Sequence, residues 1–464
     1  MTLPENTRIK IREMLRQGKS AAEIADTMGV KKMQVAALKA HMTMQERGRL
    51  QATSAESKLV SAMDSSKTAE ARGSQSHWQN TEAPTAPAPE AMKSSILIGT
   101  DVTFGEKVYW DFSSKTGSTN PHTLIVGETG FGKTYAAQCI VAELSKKGIP
   151  VLIFDYGQGF GKEEASRSFL NLVKPKQIEA SRNGISINPL RALPDDAMGP
   201  VNVAHRIADT FCRVFPRMGI QQREALTEAV EFTFEKAGIF GDSKDSWSKE
   251  PPQFHEVHKN LKTISDDRDN PLRNQAKTAF SHVSSFFRFK VIRDSGEKLL
   301  WDQLISGERG KIWIIQLKGL EHHISMITTE MLLWDLISHI QSGGPSDIQL
   351  FVVLDEAHKL SFEAGTPVDW ILREGRKFGL GLILASQQLE DYSKVAISNT
   401  ATKLIFQNQD DNYALSRALE KKCKNITNHK EISRIITTLE RGKAFFMSEN
   451  SGRIVSIDDM ESRR

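Results

Sequence analysis

The sequence predicts an α/β fold in which a parallel β-sheet carries helices on both faces. The main observation is that short apolar runs alternate with longer segments of helical periodicity over most of the 464-residue chain. The length allows two or three domains. The composition, with 39% hydrophobic and 25% charged residues, is that of an ordinary globular protein.

Six apolar runs are predicted to form the strands of the sheet, and helical stretches separate most of them. Between about residue 191 and residue 297 the pattern is mainly helical, and we interpret this region as a helical insertion in the α/β core. The predicted strands are Thr123–Val126, Val151–Asp155, Lys311–Leu317, Leu350–Asp355, Leu380–Ala385 and Lys403–Gln407.

Residues 1–45 are predicted to form a small domain of three helices. Ser20 and Glu23 match a capping box at the start of the second helix, and Gly29 matches its end. Two helices separated by a glycine turn resemble the helix-turn-helix of resolvases and repressors, whose second helix enters the major groove of DNA. A three-helix unit that docks a protein is the alternative. The DNA contacts predicted on the third helix are Lys31, Lys32, Gln34 and Lys39.

Residues 46–94 are rich in Ser, Ala, Thr, Gln, Pro and Glu, and they bury too little apolar surface to order a fold, so a flexible linker is predicted. The chain has no run of about eighteen apolar residues and no signal-peptide pattern at its N-terminus. Its three cysteines, Cys139, Cys212 and Cys423, are too far apart to indicate a disulfide framework or a zinc site. We therefore expect a cytoplasmic protein without membrane insertion.

A phosphate-binding loop is predicted directly after the first strand. The segment GETGFGKT matches G-x-x-x-x-G-K-[ST] in the strand–loop–helix context that this motif requires. Its glycines allow backbone amides to surround the phosphates of ATP, Lys133 can reach the β- and γ-phosphates, and the Thr134 hydroxyl can bind Mg²⁺. The predicted nucleotide-binding residues are Gly127, Glu128, Thr129, Gly130, Phe131, Gly132, Lys133 and Thr134.

A second motif, LFVVLDEAHKL, places two acids at the end of another apolar strand. Asp355 is predicted to hold Mg²⁺ through water, and Glu356 is predicted to take the proton from the attacking water. A protein that only binds nucleotide does not need Glu356. The two motifs together therefore predict an ATPase that uses ATP and Mg²⁺.

Three further side chains are catalytic candidates. Gln387, at the end of GLILASQQ, could sense hydrolysis or orient water if its strand neighbours the other two, and an ordinary polar strand end is the alternative. Arg373 or Arg376 could neutralise charge at the nucleotide of a neighbouring subunit, or could lie on a charged surface helix.

Other clusters are interpreted as structural. GQGFG at 157–161 is interpreted as a loop, because its third glycine does not fit a dinucleotide fingerprint. The pairs His322–His323 and His255/His258 are interpreted as surface or helix-face residues. A basic cluster in the helical insertion could line a DNA pore or could form local ion pairs; its members are Arg206, Arg213, Arg217 and Arg223.

The motif series over residues 96–458 resembles the HerA–FtsK superfamily of ring-forming translocases, which includes conjugation and secretion ATPases. Besides the two motifs above, the resemblance rests on IGTDVTFGEKVYWDF, FDYGQGF, ISINPL, GIQQREALTEAV, RGKIWIIQL, REGRKFGLGLILASQQ and LERGKAFFM. It implies a RecA-like P-loop ATPase domain over residues 95–464. It also implies a hexamer around DNA, with nucleotide at the subunit interfaces and an arginine acting in trans.

The function expected from this resemblance is that of a DNA translocase or helicase-like motor, with a nuclease or other effector protein as a candidate partner. Two alternatives stay open. One is an ATPase of a conjugation or secretion machine, and the other is a DNA-binding regulator gated by ATP.

Overall fold

The computed structural model of the chain describes residues 14, 21–28, 94–113, 120–157, 159–192, 196–306, 310–387, 392, 394–409, 413–421, 423, 428–448 and 451–463. The chain divides into two units, Met1–Thr85 and Ala86–Arg464. In the first unit, helix α1 (Ala21–Met28) buries Ile24 and ends directly before the glycine that was predicted to stop it. The predicted DNA contacts Lys31, Lys32, Gln34 and Lys39 lie outside the described residues, as does nearly all of the predicted linker.

The second unit contains all the described strands. They are β1 (Ser95–Asp101), β2 (Lys107–Asp111), β3 (Thr123–Val126), β4 (Val151–Asp155), β5 (Lys176–Glu179), β6 (Ile185–Ser186), β7 (Glu297–Lys298), β8 (Ile312–Gln316), β9 (Ser346–Leu354), β10 (Phe378–Ser386), β11 (Thr402–Ile405), β12 (Lys443–Ser448) and β13 (Ser451–Ile457).

The helices of this unit follow most of the parallel strands or lie in the insertion. They are α2 (Lys133–Lys146), α3 (Arg167–Val173), α4 (Ala180–Asn183), α5 (Pro200–Val214), α6 (Ile220–Lys236), α7 (His255–Asp266), α8 (Arg273–Phe289), α9 (Trp301–Ile305), α10 (His322–Ser342), α11 (Pro367–Glu374), α12 (Lys394–Asn399), α13 (Tyr413–Glu420) and α14 (His429–Thr437). No helix in the described ranges is both long and apolar enough to cross a lipid bilayer.

One eleven-stranded sheet forms the centre of this unit, in the order β2-β1-β13-β12-β11-β3-β10-β9-β4-β8-β5. The strands from β11 to β5 are all parallel, and they include the six strands predicted from the sequence. Two of the six, β3 and β4, have the predicted bounds, and the ends of the others differ by up to four residues. The strand before the phosphate loop, β3, therefore lies between β10 and β11.

The sheet is mixed, because an antiparallel part extends the predicted parallel sheet at one edge. Strands β12, β13, β1 and β2 pair antiparallel in series beside β11. The hairpins β1–β2 and β12–β13 need only short connections, whereas parallel strands need a crossover. The long helical segments that signal crossovers are therefore missing from these parts of the sequence.

Helices cover both faces of the sheet, as the sequence predicts. Successive side chains of a strand point to opposite faces. In β3, Leu124 and Val126 belong to one apolar core and Ile125 belongs to the other. In β4, Leu152 and Phe154 likewise lie in the first core and Ile153 in the second. Complete burial on both faces explains why these strands are apolar without alternation.

Helices α5 to α8 form the body of the helical insertion. They pack on one another through buried aromatic and aliphatic side chains, including Phe211, Phe234 and Phe286. The short strands β6 and β7 lie on either side of the insertion in the sequence and pair in parallel with each other. This pairing brings the start and the end of the insertion together at the α/β core.

Candidate active site

The loop between β3 and α2 has the backbone of a phosphate cradle. Gly127, Gly130 and Gly132 adopt φ values of 149°, 88° and 110°, which side chains with a Cβ rarely tolerate. At Gly127 an added Cβ would also lie 2.5 Å from the Cβ of Phe406. The glycine spacing is therefore required by the turn itself, before any ligand is considered.

Two other residues of the loop form hydrogen bonds with segments that follow neighbouring strands, and a third is exposed. Glu128 accepts a hydrogen bond of 2.6 Å from the Gln409 amide, and the carbonyl of Phe131 accepts one of 3.1 Å from the Gly442 amide. Thr129 is exposed, and Thr134 is half-buried at the start of α2. The loop is thus fixed at both ends, while its tip stays accessible.

Lys133 is the buried cation of the site. Only 9% of the residue is exposed, and its Nζ donates a 2.9 Å hydrogen bond to the carbonyl of Glu128. Burial lowers its pKa, and the negative charges of Glu356, Asp355 and Glu128 oppose that shift. The structure therefore brings the lysine of the first motif and both acids of the second within electrostatic reach of one another.

Asp355 directly follows β9 and is buried beside two other carboxylates, those of Asp155 and Glu356. Burial, together with the neighbouring carboxylates of Asp155 and Glu356, raises its pKa to about 7, and Lys133 acts in the opposite direction. A divalent cation would relieve this repulsion. Asp355 therefore fits the role of a Mg²⁺ ligand.

The Thr134 side chain lies close to Asp355, and Gly159, in the loop after β4, is next to both of them. At Gly159, an added Cβ would lie 2.5 Å from Thr134 Cγ2 and 3.4 Å from Asp355 Oδ2, so these two side chains are near neighbours. Among the described residues no group of three His, Cys, Asp or Glu side chains can hold a metal ion by itself. Mg²⁺ that arrives with a nucleotide needs only one or two carboxylates, with phosphate and water oxygens as its other ligands.

Asp155 is a functional candidate that the sequence analysis missed. It ends β4, is fully buried, and accepts hydrogen bonds from the Gly157 amide (3.1 Å), the Phe160 amide (3.0 Å) and Gln316 Nε2 (2.7 Å). These bonds fold the predicted GQGFG loop around the carboxylate. An acid at the end of a buried strand, the signal used for Asp355, was also present here.

Glu356 lies beside the polar end of β10. Its carboxylate Oε2 is 3.5 Å from Gln387 Nε2 and 3.3 Å from His358 Nδ1, and its side chain is 24% exposed. Its backbone is left-handed, with φ 56° and ψ 49°, a conformation that costs about 1 kcal/mol or more outside glycine. The role predicted for Gln387 required its strand to neighbour the strands of the two motifs. Strand β10 pairs with both β3 and β9, so this condition is met.

The two arginine candidates lie near the amino-terminal end of β10, whereas the phosphate loop lies at the carboxyl-terminal ends of the parallel strands. Arg373 Nε donates a 2.7 Å hydrogen bond to Asp369 within α11, and Arg376 is exposed just before β10 begins. Arg376 also contributes to the lowered pKa of His122, which precedes β3. Because the phosphate loop follows the opposite end of β3, neither arginine can reach the nucleotide site of its own subunit.

The remaining clusters agree with their structural interpretation. His258 is stacked between Phe280 and Phe287. In the basic cluster, Arg206 lies 3.7 Å from Asp196, Arg213 lies 2.7 Å from Glu330, and Arg223 pairs with Asp209. Three of the four arginines considered for a DNA pore are thus held in local ion pairs.

Comparison with known proteins relates this site to one family. Residues 117–336 match DUF87, described as "Helicase HerA, central domain". The chain is 26% identical over 406 residues to the DNA double-strand break repair helicase HerA of Sulfurisphaera tokodaii, covering 83% of this chain and 72% of that protein. The HerA helicase of Sulfolobus acidocaldarius is 24% identical over 390 residues, covering 80% and 72%.

A solved structure with a similar fold is VirB4 of Thermoanaerobacter pseudethanolicus, with a TM-score of 0.61, 16% identity, and coverage of 79% of this chain and 96% of that one. The plasmid coupling protein TrwB in complex with a non-hydrolysable ATP analogue gives a TM-score of 0.51 at 13% identity, covering 82% and 96%. At these identities the likeness establishes the fold, a RecA-like core with a mixed sheet.

Proposed function

Because the chain belongs to the HerA–FtsK superfamily of P-loop ATPases, we propose that it is a motor that couples ATP hydrolysis to movement along DNA. The observation that carries this proposal is the position of Glu356. Its carboxylate lies beside Gln387, near Lys133 and next to Asp355. That arrangement provides for hydrolysis as well as nucleotide binding.

Each residue has a separate task in the proposed reaction. The amides of the phosphate loop and Lys133 bind the phosphates. Asp355 and Thr134 would hold Mg²⁺, which would supply positive charge next to the phosphate oxygens. Glu356 accepts the proton of the attacking water, and Gln387 orients that water. Arg376 of one subunit would complete the site of the next, which requires a ring; we propose a hexamer.

The proposed cargo is duplex DNA, and the proposed compartment is the cytoplasm. Two relatives are named DNA double-strand break repair helicases, which supports DNA over a secreted protein as the substrate. The N-terminal unit would add contacts to DNA through Lys31, Lys32, Gln34 and Lys39. A nuclease or another effector protein remains the proposed partner.

The deciding experiment measures ATP turnover against added duplex DNA for the wild-type protein and for Glu356→Gln. We expect DNA to raise wild-type turnover several-fold. Loss of the general base should lower turnover by about a hundredfold or more, while a fluorescent ATP analogue still binds. Glu363→Gln, the same change at an exposed loop residue, is the matched control and should behave as wild type. Turnover that is indifferent to DNA would contradict the proposed motor.

The role of the N-terminal unit is tested separately by DNA affinity at several salt concentrations. Replacing Lys31 and Lys32 with alanine should weaken binding and reduce the slope of log affinity against log salt by about one or two units. Unchanged affinity and slope would assign this unit to protein docking instead.

A further inference from the structure

His358 occupies a junction between the two strand ends that carry the proposed hydrolytic residues. It lies in the short turn Ala357–Lys359, directly after Glu356. Its Nδ1 is 3.3 Å from Glu356 Oε2 and 3.1 Å from the hydroxyl of Ser386. Ser386 is the last residue of β10 and is 1% exposed. The imidazole therefore connects the end of β9 to the end of β10.

Among the residues that the structure describes, two side chains contact the Glu356 carboxylate, those of His358 and Gln387. The glutamate side chain has three rotatable bonds, and the nearest amide, that of Gln387, is 3.5 Å away, at the limit of a hydrogen bond. A general base must be held close to its attacking water, because a displacement of about 1 Å can cost roughly a hundredfold in rate. The shorter contact of Glu356, among those described here, is the one to His358.

We propose that His358 is a positioning residue that holds the Glu356 carboxylate for proton abstraction. Nδ1 forms its hydrogen bond with the Ser386 hydroxyl, and the same atom lies 3.3 Å from Glu356 Oε2, where a proton on Nδ1 attracts the carboxylate. Ser386 thereby sets the orientation of the ring relative to β10. His358 itself touches neither nucleotide nor water in this role. The inference rests on the proposed ATPase function and gives a role to a residue of the second motif that the sequence analysis left unassigned.

The link to β10 gives the arrangement a mechanical consequence. Ser386 and Gln387 are adjacent residues, and both lie within hydrogen-bond range of the His358–Glu356 pair. A shift of the end of β10 would therefore move the base and its water-orienting amide together. A base attached only to β9 would not respond in this way.

The test compares His358→Leu, which removes the donor, with His358→Asn, whose amide can donate from about the same place as Nδ1. We expect the leucine variant to lose roughly ten- to a hundredfold in kcat, with KM for ATP and binding of a fluorescent ATP analogue unchanged. The asparagine variant should recover most of the rate. His322→Leu removes an exposed histidine of the same neighbourhood and should retain wild-type kcat.

Three results would overturn the inference. These are a leucine variant with wild-type kcat, an asparagine variant as slow as the leucine variant, or a loss of kcat that comes with weaker nucleotide binding and a lower unfolding temperature. Wild-type protein and Glu356→Gln are measured beside them. If the wild-type protein has no ATP turnover, both the proposed function and this inference are wrong. If the wild type is active and His358→Leu has the same kcat, the inference alone is wrong.

Discussion

The Gln387 amide nitrogen lies 3.5 Å from a carboxylate oxygen of Glu356. This contact joins the ends of β10 and β9, two parallel strands that are neighbours in the sheet. Because β10 also pairs with β3, which precedes the phosphate loop, Gln387 lies between the proposed base and the proposed phosphate site. A side chain in this place can contact both the attacking water and the group that deprotonates it.

Replacing Gln387 with alanine should therefore lower kcat by roughly ten- to a hundredfold and leave KM for ATP within about twofold of wild type, since the amide acts on the transition state and not on nucleotide binding. Steady-state ATPase kinetics check this. Gln341→Ala, at an exposed position near the end of α10, is the control. A raised KM with unchanged kcat would place Gln387 in ground-state binding instead.

Asp155 should matter for stability as well as for catalysis. Asp155→Ala leaves three donors, two backbone amides and Gln316 Nε2, without their buried acceptor. Relief of its repulsion with Asp355 offsets only part of that loss. We expect the free energy of unfolding to fall by about 3 kcal/mol, measured by denaturant titration. Asp242→Ala, at an exposed position, should have almost no effect. A stability equal to wild type would mean that water replaces the carboxylate.

Much of the fold could be predicted because the central strands carry a strong local signal. Thr123–Val126 and Val151–Asp155 are short, fully buried runs, and their bounds follow directly from where apolar residues begin and end. The prediction placed the start of β9 four residues too late, since Ser346 and Asp347 are exposed and polar. At such a strand end, pairing with a neighbour decides the conformation, and composition does not.

The residues that the sequence analysis missed depend on contacts between distant segments. Asp155 and Gln316 end β4 and β8, and Asp355 directly follows β9. These three residues are neighbours only because the sheet order is β9-β4-β8. That order is a property of the tertiary fold and leaves no local pattern. His358 was visible in LFVVLDEAHKL, but its value depends on Ser386, 28 residues further along the chain.

A glycine at position 159 should be required for binding of Mg²⁺–ATP, because Thr134 occupies the space that any larger residue there would need. An added Cβ lies 2.5 Å from Thr134 Cγ2, so Gly159→Ala should displace the Thr134 hydroxyl and raise KM for Mg²⁺–ATP by about tenfold, or about 1.4 kcal/mol. Thr134→Ser removes that methyl group and keeps the hydroxyl. The double variant Gly159→Ala/Thr134→Ser should therefore recover affinity.

Gly219→Ala is the control for this pair, because an added Cβ there meets only Gln222 Oε1 at 3.4 Å. It should have wild-type KM in ATPase titrations over Mg²⁺–ATP concentration. A double variant as impaired as Gly159→Ala alone would show that the clash with the methyl group is not the cause.

Arg376 should act on the nucleotide of a neighbouring subunit. It precedes β10, whose nine residues extend about 30 Å before reaching Gln387, so it is too far from its own phosphate loop. Arg376 is exposed just before β10 and is the candidate to be tested, and Arg373, which donates to Asp369 in its own helix, is the comparison. Arg376→Ala should lower turnover by roughly a thousandfold, the effect typical of an arginine supplied in trans, while Arg373→Ala should keep most of it.

Mixing subunits separates action in trans from a structural role. Arg376→Ala supplies an intact Glu356, and Glu356→Gln supplies an intact Arg376, so interfaces between the two variants contain a complete site if the arginine comes from the neighbour. We expect two nearly inactive preparations to regain part of the wild-type turnover when they are mixed and allowed to exchange subunits. A mixture that stays as inactive as its components would mean that Arg376 does not complete the site of another subunit.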